Sequence, residues 1–158
     1  MLLILSIVLG GLACLLTISV GYLLCLGWVY YFVKEKLVTR VCPVKRFAVL
    51  IPAHNEEVII EKAIQSWHQM DYPKDLMRIH VIADNCTDST ASLAQRLGVR
   101  VLERHDLQHR GKGQALAWAL QIIDLSAIDA VVIVDADTTV DKAFLSVMND
   151  RFVAGARV

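Results

Sequence analysis

Phe47-Ala-Val-Leu-Ile51, followed at once by Pro52-Ala-His-Asn-Glu-Glu57, is the stretch that decides the fold of this chain. Five consecutive apolar residues closed by a proline match a strand buried on both faces, not one with a wet side. Three more short runs repeat the theme at Ile79–Ala83, Val99–Leu102 and Ala130–Val134. Between them lie segments of helical period. Val58, Ile59, Ala63, Ile64 and Trp67 form an apolar stripe at spacings of three and four, which predicts a helix over 57–69. Further helices are predicted over 89–97, stopped by Gly98, and over 114–123. Strands alternating with helices read as an α/β domain with a parallel sheet.

The chain has 158 residues, enough for one such domain and an appended segment. Its 16 Lys plus Arg balance 16 Asp plus Glu, so no basic excess argues for nucleic acid as a partner. The hydrophobic fraction of 56% exceeds the soluble norm of about 45–50%, and the surplus sits at the N-terminus. Residues 2–33 carry no charge, and roughly 20 apolar residues suffice to cross a bilayer, so 1–33 is read as a transmembrane helix. A cleaved signal peptide wants a basic leader and a shorter apolar core, whereas only Met1 precedes this run. Lys34, Lys36, Arg40, Lys45 and Arg46 make 34–46 a basic juxtamembrane linker, with Trp28, Tyr30 and Tyr31 at the boundary as an aromatic belt. The positive-inside rule then puts the domain, 47–158, in the cytoplasm. The four cysteines (Cys14, Cys25, Cys42, Cys86) show no metal-like spacing and suit a reducing compartment.

Parallel strands all end on one edge, where α/β proteins bind ligands. The polar residues that follow the strands therefore converge: Asn55 and Glu56 after the first, Asp84 after the second, Lys112 after the third, Asp135 and Asp137 after the fourth. Asp135-Ala-Asp137 sets two carboxylates at i and i+2 behind a buried strand, an oxygen pair suited to Mg2+ or Mn2+ shared with a diphosphate. Two such aspartates equally serve as helix caps, and it is their position that favours the metal. Asn55 and Glu56 can hydrogen-bond a base or ribose, or can simply shape a turn and begin a helix. Asp84 ends its strand, while Asp88 reads as a helix cap. Arg110-Gly-Lys-Gly113 offers cations on pliant backbone for phosphate but lacks the GK[ST] ending of a P-loop. His68, His80, His105 and His109 share no ligand spacing and are expected to be structural or exposed; Trp67 and Trp118 are expected in the core.

Four ordered motifs, Ile51-Pro-Ala-His-Asn-Glu-Glu57, Val81-Ile-Ala-Asp-Asn-Cys-Thr-Asp88, Arg110-Gly-Lys-Gly-x-Ala-Leu116 and Val134-Asp-Ala-Asp137, resemble those of family 2 glycosyltransferases, the inverting group that includes cellulose- and hyaluronan-synthase-like membrane enzymes. The resemblance spans about 47–152. It implies a Rossmann-like GT-A fold that binds a nucleotide-sugar, UDP-sugars favoured, with a glycan or lipid acceptor, at a bacterial inner membrane. It also implies Asp84 and Glu56 near the nucleoside, Lys112 near the diphosphate and Asp135 with Asp137 on the metal. The set expected around the donor is Pro52, Asn55, Glu56, Asp84, Lys112 and Asp135. The family's acidic base and its acceptor motifs lie further downstream than this sequence reaches. Asp141 and Asp150 read as cap and interior of a following helix, so no general base is identified. The chain is expected to be a donor-binding part that transfers little or no sugar alone.

Two other readings compete. Asp135-x-Asp137-x-Thr139 also fits the first motif of haloacid-dehalogenase-type phosphatases, which leaves the His-Asn-Glu and Arg-Gly-Lys-Gly segments unexplained. A membrane-tethered module that binds nucleotide or docks on a partner without transfer is the other.

Overall fold

The five apolar residues from Phe47 to Ile51 have no exposed surface in the computed structural model, which describes residues 1–32 and 40–156. They form most of β1 (Phe47–Ala53), flanked on both sides by parallel partners. β2 (Met77–Asp84) pairs from Phe47↔Met77 to Ala53↔Ala83, and β4 (Ala130–Ile133) pairs from Phe47↔Ala130 to Leu50↔Ile133. β3 (Arg100–Arg104) lies outside β2, giving the order β3-β2-β1-β4.

β1 runs two residues beyond its predicted end and includes Pro52. The reason lies in the ladder. The Leu50 carbonyl accepts from Val134 N–H at 3.0 Å, so alternate residues of β1, Pro52 among them, turn their backbone toward β4. Pairing with β4 has ended at Leu50↔Ile133, and the N–H that proline lacks belongs to no strand pair.

Helices cover both faces. Of the predicted stripe, Val58 is exposed and Ile59 only half-buried, because both fall in a turn over 57–59. α2 (Ile60–His68) therefore begins three residues late, and it buries Ile60, Ala63, Ile64 and Trp67. With α3 (Thr90–Arg96) and α5 (Phe144–Val153) it covers Val49, Ile51, Ile79 and Val81, and Trp67 meets Phe144 edge to face at 6.0 Å. α4 (Lys112–Ile122) covers the other face, where Ala115 and Ala119 let it close on Leu50 and Ile82.

The chain divides into two compact units, Met1–Leu37 and Val38–Val158. The first contains α1 (Leu2–Phe32), whose stretch Ser6–Val29 is long and apolar enough to cross a membrane. Two of its hydroxyls find partners within the helix: Thr17 donates to the Ala13 carbonyl at 2.8 Å and Ser19 to that of Leu15 at 2.9 Å. Trp28 and Tyr31 are exposed near its end. Lys34, Lys36 and the side chain of Tyr30 lie outside the described residues.

The described part of the expected linker is fastened to the second unit. Buried Asn149 accepts from Val44 and Lys45 N–H at 3.0 and 3.1 Å and donates to the Cys42 carbonyl, while Asp150 accepts from Val41 N–H at 3.1 Å. The Tyr72 hydroxyl donates to the Lys45 carbonyl at 2.7 Å, and Asp129 takes Arg46 N–H and the Lys45 ammonium. Burial pushes the Tyr72 phenol up, which keeps it a neutral donor. Side chains of α5 thus hold residues 41–45, and Asp129 holds Arg46.

His80 sits on the α4 face of β2, 3% exposed, and among the described residues neither ring nitrogen has a hydrogen-bond partner. Burial, and then the charges of Arg100 and Arg78, push its imidazole down. The unfolded imidazole titrates near about 6.5, so as pH falls the unfolded state takes up the proton first. Stability is full above that value and is lost, at up to about 1.4 kcal/mol per pH unit, as pH falls toward the depressed folded value. Urea unfolding between about pH 7.5 and about pH 5 should show this loss, and His80→Met should flatten it. An unchanged slope in the variant would assign the loss to another group.

Candidate functional site

From β1 the chain winds outward through β2 and β3, then crosses back to β4 on the far side. At that reversal the crossover through α4 passes to the face opposite α2 and α3, and a crevice opens at the carboxyl edge. Here it is a cavity of about 410 Å3, within the range of small-molecule sites. Pro52, Glu56, Asp84, Lys112, Asp135 and Asp137 all line it. So do Arg110, the other cation of the Arg-Gly-Lys-Gly segment, and His54 and Asn85, which the motifs contain but to which the sequence assigns no role.

Asn55 takes another place. It adopts a left-handed φ of 56° and its amide oxygen accepts from Thr87 N–H at 2.8 Å, tying the loop after β1 to the loop after β2. More ties run alongside. Glu56 N–H donates to the Thr90 hydroxyl at 2.8 Å, Glu57 N–H to Asp88 at 3.2 Å, and Ser89 N–H to Glu57 at 2.9 Å. Burial alone would raise Asp88, but hydrogen bonds from the Thr90 hydroxyl and amide and from Glu57 outweigh it and hold the carboxyl below the ordinary range. Asp88 therefore braces the start of α3, in line with its reading as a cap. Cys86 lies between these loops, its thiol against the Ala53 carbonyl, and burial pushes that thiol up.

Asp84 is 8% exposed and is held from two sides. Its Oδ1 accepts from Arg104 Nη1 at 2.7 Å and from Asn85 Nδ2 at 3.0 Å. Arg104, 6% exposed, belongs to none of the four motifs. Nothing local marks it: the register Asp84↔Arg104 between β2 and β3 makes the pair. Its Nη2 reaches Asp106 at 2.9 Å and the His109 carbonyl at 2.8 Å. Amide hydrogen bonds, that of His109 foremost, keep the Asp106 carboxyl low despite some burial. Asn85, with φ 52°, links the same loop: Nδ2 donates to the Asp106 carbonyl and Oδ1 accepts Asp106 N–H.

His54 Nδ1 lies 2.7 Å from the Asp84 carbonyl, which can only accept, so Nδ1 carries the proton and Nε2 is the acceptor of the neutral ring. Gly111 has φ 112°, a backbone state open to glycine, and turns the chain into α4 two residues before the predicted start. Lys112 thereby opens a helix whose N-terminal amides and dipole favour an anion. Its ammonium contacts the Asp135 carboxylate, and Thr138 donates to Asp137 at 3.2 Å.

The acidic pair fits a hard divalent ion of one kind. Among the described residues no group of three or more His, Cys, Asp or Glu side chains gathers to hold a metal. Two carboxylates are too few for an all-protein cage and suit an ion whose remaining ligands are phosphate oxygens and water. The neighbouring Lys112 and Arg110 match those phosphates in charge.

Residues 48–158 match the family described as Glycosyl transferase family 2. Over 126 residues the chain is 32% identical to the probable glycosyltransferase YdaM of Bacillus subtilis (strain 168), covering 72% of this chain and 29% of that protein. Among solved structures it is similar to the mannosyltransferase PcManGT of Pyrobaculum calidifontis in complex with GDP-Man and Mn2+. There the TM-score is 0.64 and the identity 26%, over 84% of this chain and 40% of that one. The glucosyl-3-phosphoglycerate synthase of Mycobacterium tuberculosis in complex with Mn2+, UDP and phosphoglyceric acid gives a TM-score of 0.56 at 27% identity, over 70% of this chain and 40% of that one. The chain thus spans less than half the length of each.

The left-handed Asn85 generates a ranking. Alanine there meets a backbone cost of about 1–2 kcal/mol and also loses the amide bonds to Asp84 and Asp106; glycine loses only the amide bonds. Chemical unfolding should therefore order the proteins wild type, then Asn85→Gly, then Asn85→Ala. Alanine matching glycine would contradict the backbone argument.

Proposed function

The chain belongs to glycosyl transferase family 2, and from that premise we propose that it binds a nucleotide-sugar in the cavity at the carboxyl edge of the sheet and takes part in metal-assisted sugar transfer. One observation carries the reading: a buried, braced carboxylate, Asp84, and an exposed acidic pair, Asp135 and Asp137, open into the same cavity. The first suits a nucleoside and the second a metal-bound diphosphate.

Asp84, Glu56 and Pro52 take the nucleoside in this proposal. Asn55 serves it indirectly, by fixing the loop that carries Glu56. Lys112 exchanges its contact with Asp135 for a phosphate oxygen, and Asp135 with Asp137 holds the metal. Mg2+ or Mn2+, when bound there, supplies Lewis-acid stabilisation of the charge that develops on the leaving diphosphate. The reaction is an inverting displacement, in which a carboxylate takes the proton of the acceptor hydroxyl. We assign donor binding, not acceptor activation, to the described residues; the structure places Asp141 at the start of α5, accepting from Ala143 N–H, and Asp150 against Val41. The acceptor is a glycan or a lipid.

The uridine preference follows the motif resemblance, and both a UDP complex and a GDP-mannose complex stand among the similar structures. α1 anchors the chain in a membrane, with the globular unit on the cytoplasmic side by the positive-inside rule. The Asp135-x-Asp137-x-Thr139 pattern shared with phosphatases sits here within a glycosyltransferase family match.

Calorimetric titration of the detergent-solubilised chain with UDP and GDP, each with Mn2+, Mg2+ or chelator, tests the proposal. UDP is expected to bind more tightly with metal, and Asp137→Ala to remove at least about tenfold of that affinity, or about 1.4 kcal/mol, while leaving binding in chelator unchanged. Equal affinity in metal and chelator would overturn the metal assignment. Absence of binding by both nucleotides would overturn the function.

A further inference from the structure

Arg104 makes contacts that donor binding alone does not require. One guanidinium nitrogen, Nη1, holds Asp84 at 2.7 Å; the other, Nη2, holds Asp106 at 2.9 Å and the His109 carbonyl at 2.8 Å. The first contact fixes a wall of the cavity. The second fixes the loop that leads to Arg110, Gly111 and Lys112 on another wall.

We infer that Arg104 is a positioning residue that couples the nucleoside end of the cavity to its phosphate end. The inference rests on the proposed function above, because the two ends are defined by it.

The loop itself shows why such a coupling is needed. No side chain from His105 to Gly111 is buried, and Leu107 is 68% exposed, so the loop has no apolar anchor. Its shape rests on polar contacts. Asp106 accepts from Gln108 and His109 N–H at 3.0 Å each, and is in turn held by Arg104 and by the paired amide contacts of Asn85. At the other end both contacts to Asp84 fall on Oδ1, which leaves Oδ2 without a partner among the described residues. A rigid planar fork can serve both ends at once. A lysine ammonium in the same place is a point charge on a flexible stem and satisfies one end at a time. Burial sharpens the requirement, since a buried carboxylate deprived of its guanidinium is left uncompensated.

Three probes separate the ends in the solubilised full chain: uridine for the nucleoside end, pyrophosphate with Mn2+ for the phosphate end, and UDP with Mn2+ for both. Affinities are read by competition against UDP, with the melting temperature measured alongside. Arg104→Lys is expected to weaken both uridine and pyrophosphate, each by about tenfold. Asp106→Asn puts an N–H donor against the guanidinium and cuts only the loop branch. It is expected to weaken pyrophosphate to a similar extent while uridine binds as in the wild type, so this arm stands even where Arg104→Lys does not fold. Pyrophosphate affinity unchanged in both variants would overturn the coupling. So would a loss of uridine and pyrophosphate binding in Asp106→Asn that a lowered melting temperature accounts for. Should the wild type bind neither UDP nor pyrophosphate, it is the functional reading that fails, and the two failures are thereby distinct.

Discussion

The globular unit depends on the double burial of β1. A strand with parallel partners on both edges and helices on both faces has no wet side, which is why Phe47 to Ile51 are all apolar and wholly buried. That burial has a geometric consequence. With β2 on one side and β4 on the other, the winding must reverse at β1, and the crevice opens where it does. Core and site thus share one cause: the strand that the hydrophobic effect places in the middle is the strand whose end carries the ligand-facing loop.

Beyond the ends of the strands the apolar driving force stops and polar satisfaction takes over. Asn55 and Asn85 occupy equivalent places after β1 and β2, both with left-handed backbone. Asparagine tolerates that conformation better than most residues because its short amide can bond nearby backbone, and both do so. The loops they shape hold one another through Glu57, Asp88 and Thr90 and contain no apolar anchor of note. These cross-links between the two loops make a preorganised polar wall at the edge of the cavity.

The charges divide by depth. Asp84 and Arg104 are buried and satisfied by each other, a pairing that fixes geometry more than it adds stability. Asp135 and Lys112 are exposed, and their contact is of the weak, exchangeable kind. In the function proposed above, a site that holds a base in one orientation and releases a diphosphate with its metal benefits from both, the buried pair deep and the exposed pair near solvent. The apolar helix α1, by contrast, carries no charge, and its Thr17 and Ser19 hydroxyls bond back to carbonyls of the same helix.

The sequence by itself determined the features that are local: strands from unbroken apolar runs, helices from a period near 3.6, a long apolar N-terminal helix from length and lack of charge, and cavity-lining residues from their places just after strands. Those signals are carried by neighbours in the chain, and the register of each segment with itself is enough to read them. Tertiary structure alone decided the rest. Pro52 lies inside β1 because β4 stops pairing two residues earlier; Asn55 turns to Thr87; Asn149 and Asp150 capture residues 41–45 from more than a hundred positions away; and Arg104 meets Asp84 through the offset between β2 and β3. Each depends on how separate elements slide and stack against one another, a relation between distant segments that no single stretch of sequence encodes.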